Sequence, residues 1–205
     1  SMGMLEQLIE DKPHSLLPQV AATERPDRAV SFLNEGQIVI VMENTPSVIA
    51  LPMGLVHLYH APDDTALRWQ YGTFLRLLRM AGLLISLLLP AVYISLTIFH
   101  PEGMPLSLLT SVIESQSRVP LSLFTSMLLM LLMFSLINEA GARVPGAMGG
   151  SLSIVSGLIL GQAAVEADMF SPLLIIVVAI SGLGSYTAPS FPLTMALRIS
   201  QFFLV

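Results

Sequence analysis

The segment from Met80 to Pro101 contains no Asp, Glu, Lys or Arg. A helix needs about 20 predominantly apolar residues to cross a bilayer, so this stretch is long enough. The whole chain is 54% hydrophobic and only 11% charged, against roughly 25% charged in ordinary soluble domains. Nine of the fourteen acidic residues precede Thr65. The sequence therefore predicts a mainly α-helical polytopic membrane protein with a small cytoplasmic α/β part at its N-terminus.

Further apolar stretches predict the rest of the membrane part. We expect four complete spans and the start of a fifth, at residues 78–99, 121–138, 148–165, 170–185 and 193–205. Pro90 lies in the middle of the first span and is expected to kink it. In the proline-rich connector His100–Pro120, the apolar segment Leu106–Glu114 is too short to span and is expected to lie on the membrane or re-enter it. Because the chain stops within an apolar run, we expect a fragment of a longer protein.

The N-terminal residues 1–63 are typical of the C-terminal part of a cytoplasmic α/β domain. Pro26 and Gly36 have the positions that mark a helix start and a helix end. Ala29, Phe32 and Leu33 would form its apolar face. The β-branched runs 37–42 and 47–51 predict two strands joined by the tight turn 43–46.

Residues 64–79 predict a separate amphipathic juxtamembrane helix, with Trp69 and Tyr71 at headgroup level. Residues 80–205 then form the predicted transmembrane domain. Its orientation follows from positive charges, which favour the cytoplasmic side. Arg76, Arg79, Arg143 and Arg198 fall on one side, whereas Glu102, Glu114, Glu166 and Asp168 fall on the other, with Arg118 as the one exception. The pattern places the N-terminus in the cytoplasm.

The third predicted span carries a stripe of small residues. Gly146, Gly150, Gly157 and Gly161 form two pairs at a spacing of four, which lets helix backbones approach closely in a membrane. We therefore expect this span to be packed inside protein. Ser153, Ser156 and Gln162 add polar groups to it. They either serve plain helix packing, since hydroxyls can bond their own helix, or line a polar path.

Glu139 and Glu166 are, with Asp168, the ionisable residues nearest to membrane depth. An acid inside a membrane is a functional candidate because a charge in lipid is costly. We consider Glu139 and Glu166 candidates for ion passage or gating, and Asp168 a weaker one. The alternative is a solvated carboxylate at a span end.

The sequence favours neither an enzyme nor a metal protein. His57 and His60, followed by Asp63 and Asp64, have helical metal-ligand spacing, but Pro62 interrupts the helix, so structural histidines are the simpler interpretation. No GxSxG, HExxH or phosphate-binding glycine loop occurs. The chain has no cysteine, and its net charge of −5 argues against nucleic-acid binding. We expect no catalytic residue, no cofactor and no metal.

A set of short segments, in order along nearly the whole chain, resembles the A subunit of GerA-type spore germination receptors. These segments are 18–20, 23–27, 35–36, 72–79, 87–93, 99–102, 139–141, 161–167 and 185–190. The related stage V sporulation protein AF is similar in layout. The resemblance implies a spore inner-membrane protein that works with a nutrient-sensing B subunit and a C-subunit lipoprotein. It also implies a homo-oligomeric ring that forms a nutrient-gated ion channel. The larger N-terminal domain and the C-terminal end of the family are absent here.

Two other functions remain open at this stage. A secondary transporter would fit the broken first span, although no repeat relates the two halves and no charge lies centrally. A non-conducting scaffold that holds the nutrient-sensing partner would fit the same spans.

Overall fold

The computed structural model describes residues 2–11, 15–59, 68–144 and 148–205. For residues 2, 55, 56 and 148–153 it describes the helical backbone alone. The chain divides into two compact units. The sheet unit comprises Ser1–Met80 and Thr187–Ala196, and the helical unit comprises Ala81–Tyr186 and Leu197–Val205.

A three-stranded antiparallel sheet organises the sheet unit. Its strands β1 (Ala21–Thr23), β2 (Ile38–Val41) and β3 (Val48–Leu51) have the order β1-β3-β2. The hairpin predicted from the β-branched runs is confirmed, with Ile38 opposite Leu51 and Val41 opposite Val48. Strand β1 was not predicted, because three residues are too few to show an alternating pattern. It covers the second edge of β3, whose Ile49 and Ala50 are fully buried.

The short helices of this unit are α1 (Met2–Ile9), α2 (Pro26–Asn34) and α3 (Leu55–Tyr59). Helix α2 confirms the predicted punctuation, with Pro26 in its first turn and Gly36 at φ +81° just beyond its end. Phe32 is buried under the Arg28 guanidinium. Leu33, expected on the same apolar face, is exposed, because α2 contacts the small sheet through a narrower stripe than the sequence pattern predicts.

Helix α4 is a single helix from Trp69 to Ile98, 30 residues long. This corrects the expected division into an amphipathic helix 64–79 and a span beginning at residue 78. No proline separates the two segments, and Gly82, just after the amphipathic segment, weakens a helix without ending it. Pro90 lies inside the helix and is fully buried. Residues 60–67, which include the expected start of the amphipathic helix at residue 64, lie outside the described residues.

The helical unit contains most of α4 and the elements that follow it. Two of its helices begin at a serine cap: Ser122 Oγ accepts from Thr125 N, and Ser171 Oγ accepts from Leu174 N, both at 3.2 Å. The elements are a 3₁₀ turn (Pro101–Gly103), α5 (Leu106–Arg118), α6 (Leu123–Arg143), α7 (Met148–Glu166), α8 (Pro172–Ser185) and α9 (Phe191–Leu204). Helix α5 lies where the connector was expected to form a non-spanning helix.

Helix α8 lies at the centre of the helical unit. The buried core joins α8 to residues of α4, α6 and α7, and its members are Tyr93, Ile94, Leu123, Met127, Leu131, Ala164, Phe170, Leu174, Val177 and Val178. By length and composition, α4 and α6 are the two described helices that could cross a membrane. Helix α8 has 14 residues and reaches only about 21 Å, less than the roughly 30 Å hydrocarbon core. The polytopic arrangement stays a prediction.

Candidate functional site

The third predicted span, helix α7, borders an open groove on its α8 side. Helix α7 contributes Gly157, Gly161, Gln162 and Glu166, and α8 contributes Pro172, Ile175 and Ile176. We call this cavity of about 440 Å³ the α7–α8 groove. A second, apolar cavity of about 210 Å³ lies on the α6 side of the same two glycines. The structure thus brings four predicted site residues to one groove.

Both glycines in the groove lack close neighbours. A Cβ built on Gly157 or Gly161 would meet no atom within 4 Å. The bulky side chains of α7 are also exposed, including Ile154, Leu158 and Ile159. Within one chain the glycines therefore make no close helix contact, and packing against a neighbouring subunit stays a prediction.

The remaining candidates of this span are only partly described. Ser156 is half-buried, whereas Gln162 is exposed on the groove. Gly146 lies outside the described residues, and for Gly150 and Ser153 only the helical backbone is described. Their predicted roles are therefore untested.

Glu139 lies at the other end of the unit from Glu166, on α6, and is paired. Its Oε1 accepts hydrogen bonds from Arg143 Nε at 2.8 Å and from Arg143 Nη2 at 2.7 Å. The two residues are one helical turn apart, so their charges offset each other locally. The carboxylate of Glu139 is not an isolated negative charge.

The same end of α6 carries an aromatic contact that sequence reasoning missed. The Tyr186 hydroxyl donates a hydrogen bond to Asn138 Oδ1. The Arg198 guanidinium lies over the Tyr186 ring, 5.9 Å from its centroid. Arg198 and the Glu139–Arg143 pair therefore lie towards one end of the helical unit.

Glu166 ends α7 beside a polar cavity of about 440 Å³. Asp168 and the Glu114–Arg118 pair of α5, joined at 3.0 Å, also line it. Among the described residues, neither Glu166 nor Asp168 forms an ion pair. One arginine against three carboxylates leaves this end of the unit negative, so it attracts cations.

Close helix contacts in the unit involve glycines that sequence reasoning did not single out. A Cβ on Gly184 would overlap the carbonyl oxygen of Gly82 and would come within 3.1 Å of Ser86 Cβ. A Cβ on Gly182 would overlap the Phe134 ring. Four small residues of the fourth predicted span, Ser181, Gly182, Gly184 and Ser185, indicate such a contact, but the apolar run 175–180 before them drew attention away from it.

The possible histidine site has a structural explanation at its one described member. His57 Nε2 lies 3.6 Å from Glu35 Oε2, and His57 Nδ1 accepts from Gly54 N at 3.4 Å. His60, Asp63 and Asp64 lie outside the described residues. In the part of the chain that the structure describes, no group of three His, Cys, Asp or Glu side chains could hold a metal ion.

Comparison with known proteins identifies the family. The profile of the Bacillus/Clostridium GerA spore germination protein family matches residues 1–205. The chain is 41% identical over 197 residues to spore germination protein B1 of Bacillus subtilis (strain 168), which covers 96% of this chain and 41% of the relative. It is 38% identical over 200 residues to spore germination protein A1 of the same organism, an alignment that covers 98% of this chain and 42% of the relative. It is also 36% identical over 200 residues to the uncharacterized membrane protein YfkQ of Bacillus subtilis (strain 168), covering 98% of this chain and 39% of that relative.

No solved structure shows significant similarity to this chain. The chain spans about two fifths of the length of these relatives. Because the family profile matches every residue and the relatives align along nearly the whole chain, it belongs to the GerA family of spore germination proteins.

Proposed function

We propose that this chain is a part of the membrane-embedded A subunit of a spore germinant receptor. In this proposal the full-length subunit lies in the spore inner membrane, spans it several times and has its N-terminal part in the cytoplasm. It assembles with copies of itself and with a B subunit and a C-subunit lipoprotein. Nutrient binding to the complex opens an ion path, and the chain carries no catalytic residue and no cofactor.

The observation that supports an assembled ion path is the α7–α8 groove. Gln162 and Glu166 share this groove with Gly157 and Gly161, on a helix whose bulky apolar side chains are exposed. A polar pair left against lipid would be unfavourable. A neighbouring subunit that covers α7 would place these groups inside a ring, where water can solvate them. Small residues in membrane helices permit such close contact.

Relatives named as spore germination proteins support the biological setting of the proposal. The acidic end of the helical unit, with Glu114, Glu166 and Asp168, supports cations as the permeant species. Rings of carboxylates select cations at channel mouths.

Reconstitution of the full-length protein with its B and C partners in liposomes tests the proposal. We expect nutrient to trigger release of trapped monovalent cations, and we expect this release to persist when the proton gradient is collapsed. Loss of flux with the proton gradient would contradict the channel and favour a secondary transporter. Absence of flux from a stable complex whose B subunit disappears without this chain would favour a scaffold.

A further inference from the structure

Three of the buried polar side chains in the helical unit form a cluster. Ser86 of α4 and Ser181 of α8 are 0% exposed, and Gln201 of α9 is 5% exposed. They contact one another although they are far apart in sequence. Buried polar groups are costly unless they are hydrogen-bonded, so the pairing within this cluster determines whether it stabilises the unit.

The amide nitrogen of Gln201 lies at the centre of the cluster. Gln201 Nε2 is 2.8 Å from the Ser86 carbonyl oxygen, 2.8 Å from Ser86 Oγ and 3.2 Å from Ser181 Oγ. Ser181 Oγ also donates to the Ser86 carbonyl oxygen at 2.7 Å. One amide therefore joins α9 to both α4 and α8.

The cluster offers this amide more acceptors than it has hydrogens. A primary amide carries two N–H hydrogens, whereas three oxygens lie within reach, two on Ser86 and one on Ser181. Any two of these three oxygens can accept both hydrogens. Two of the three possible pairs of acceptors include Ser181 Oγ, and the third consists of the two Ser86 oxygens. Such exchange leaves neither amide hydrogen unpaired, and an unpaired buried donor is the main cost of moving a buried polar group.

The helices around this amide differ in how they are held together. The backbones of α4 and α8 touch directly, since a Cβ on Gly184 would overlap the Gly82 carbonyl oxygen. In the helical unit, α9 contacts its neighbours through the Gln201 amide, through Arg198, which lies over the Tyr186 ring, and through the partly buried Phe202. A backbone contact joins α4 to α8, whereas the contacts of α9 named here are made by side chains, and one of these side chains has alternative partners.

We propose that Gln201 is a positioning residue that lets α9 shift between hydrogen bonding to α4 alone and hydrogen bonding to α4 and α8 together, while both hydrogens of its buried amide stay paired. The shift accompanies opening of the receptor, a part of the inference that rests on the proposed function. The surplus acceptor keeps the free energies of the two arrangements close, as a two-state element requires.

The first claim to test is that the Gln201 amide has alternative hydrogen-bond partners. Thermal melting of the full-length protein in detergent, with the variants Ser86→Ala, Ser181→Ala and the double variant, tests it. Each single substitution leaves two acceptors for two hydrogens, so we expect small losses in melting midpoint. In the double variant the backbone carbonyl of residue 86 is the one acceptor of the three that remains. We therefore expect the drop in its melting midpoint to reach about twice the sum of the two single drops or more. In a Gln201→Leu background this excess should vanish. Additive losses would overturn the surplus-acceptor explanation.

The second claim is that the shift of α9 accompanies opening of the receptor. Nutrient-triggered cation release, measured at matched protein levels, tests it. We expect each single serine variant to shift the nutrient concentration for half-maximal release by about threefold or more, since either loss biases the two arrangements. Ser185→Ala is the matched control, because Ser185 is equally buried but its hydroxyl donates to Gly182 O of its own helix, at 2.7 Å. Wild-type nutrient dependence in both single variants would overturn the role in opening. If the wild-type protein releases no ions, the proposed function fails and melting alone decides the positioning role.

Discussion

At the scale of single residues, glycines of the same sequence type meet opposite surroundings. Gly184 abuts the Gly82 carbonyl oxygen, a backbone atom that cannot rotate away, whereas a Cβ on Gly157 would meet no atom within 4 Å. Overpacking a tight contact costs about 1–3 kcal/mol. Replacing glycine by alanine in an open helix position instead favours the helix by up to about 1 kcal/mol.

We therefore predict opposite outcomes for two equivalent substitutions. Gly184→Ala should lower the melting midpoint of the detergent-solubilised full-length protein, because its methyl group forces α4 and α8 apart. Gly157→Ala should leave the midpoint unchanged or raise it. Equal losses in both variants would show that the contact between Gly184 and Gly82 does not hold these helices together.

A second residue-scale prediction concerns charge. Glu139→Gln leaves Arg143 without its carboxylate at one end of the unit, so we expect lower cation release at low salt and a smaller reduction at high salt. Salt shortens the reach of exposed charges, to about 10 Å at 0.1 M and about 3 Å at 1 M. The variant Glu139→Gln with Arg143→Gln restores local neutrality and should recover most of the release.

Glu166→Gln removes a carboxylate that has no ion-pair partner among the described residues. It should therefore lower cation release at low salt without rescue by any change at residue 143. Unchanged release and selectivity in assembled Glu139→Gln and Glu166→Gln variants would remove both residues from the ion path.

At the scale of elements, long periodic or punctuated segments could be predicted from sequence and tertiary contacts could not. The hairpin could be predicted from its β-branched runs, and α2 from Pro26 and Gly36 at its two ends. Both are signals within a short stretch of sequence. The single helix α4 was divided in the prediction, since amphipathicity and apolarity change near residue 79 while the backbone stays helical. Close contacts at Gly184 and Gln201 depend on which helices meet, information that one helix does not contain.

The α7–α8 groove gives a prediction at the same scale. Gly157→Leu and Gly161→Leu should leave the single chain folded, because each side chain enters open space, but they should reduce oligomer formation if neighbours pack there. Leu158→Ile is the conservative control. Size-exclusion chromatography with light scattering on the full-length protein measures both properties. An intact oligomer with both leucines would place the glycines against lipid or a cavity.

At the scale of the whole molecule, orientation rests on the distribution of charge. Since the arginine-rich side is expected to face the cytoplasm, a cysteine at Asn34 should react only with cytoplasmic reagent and one at Ser117 only from outside. Both positions are exposed, and the chain has no native cysteine. A Ser117→Cys variant that reacts only from the cytoplasmic side would reverse the assignment.

Gly184, which contacts the backbone of α4, should evolve differently from Gly157 and Gly161, which border open space. Gly184 is required by the backbone of its own chain, so mutations there are expected to be eliminated whatever partners a receptor acquires. A Cβ on Gly157 or Gly161 would meet no atom within 4 Å in the described part of their own chain, so we expect the constraint on them to come from a surface outside it. Across duplicated receptors, residue 184 should remain glycine, while residues 157 and 161 should drift together with the surfaces that they face.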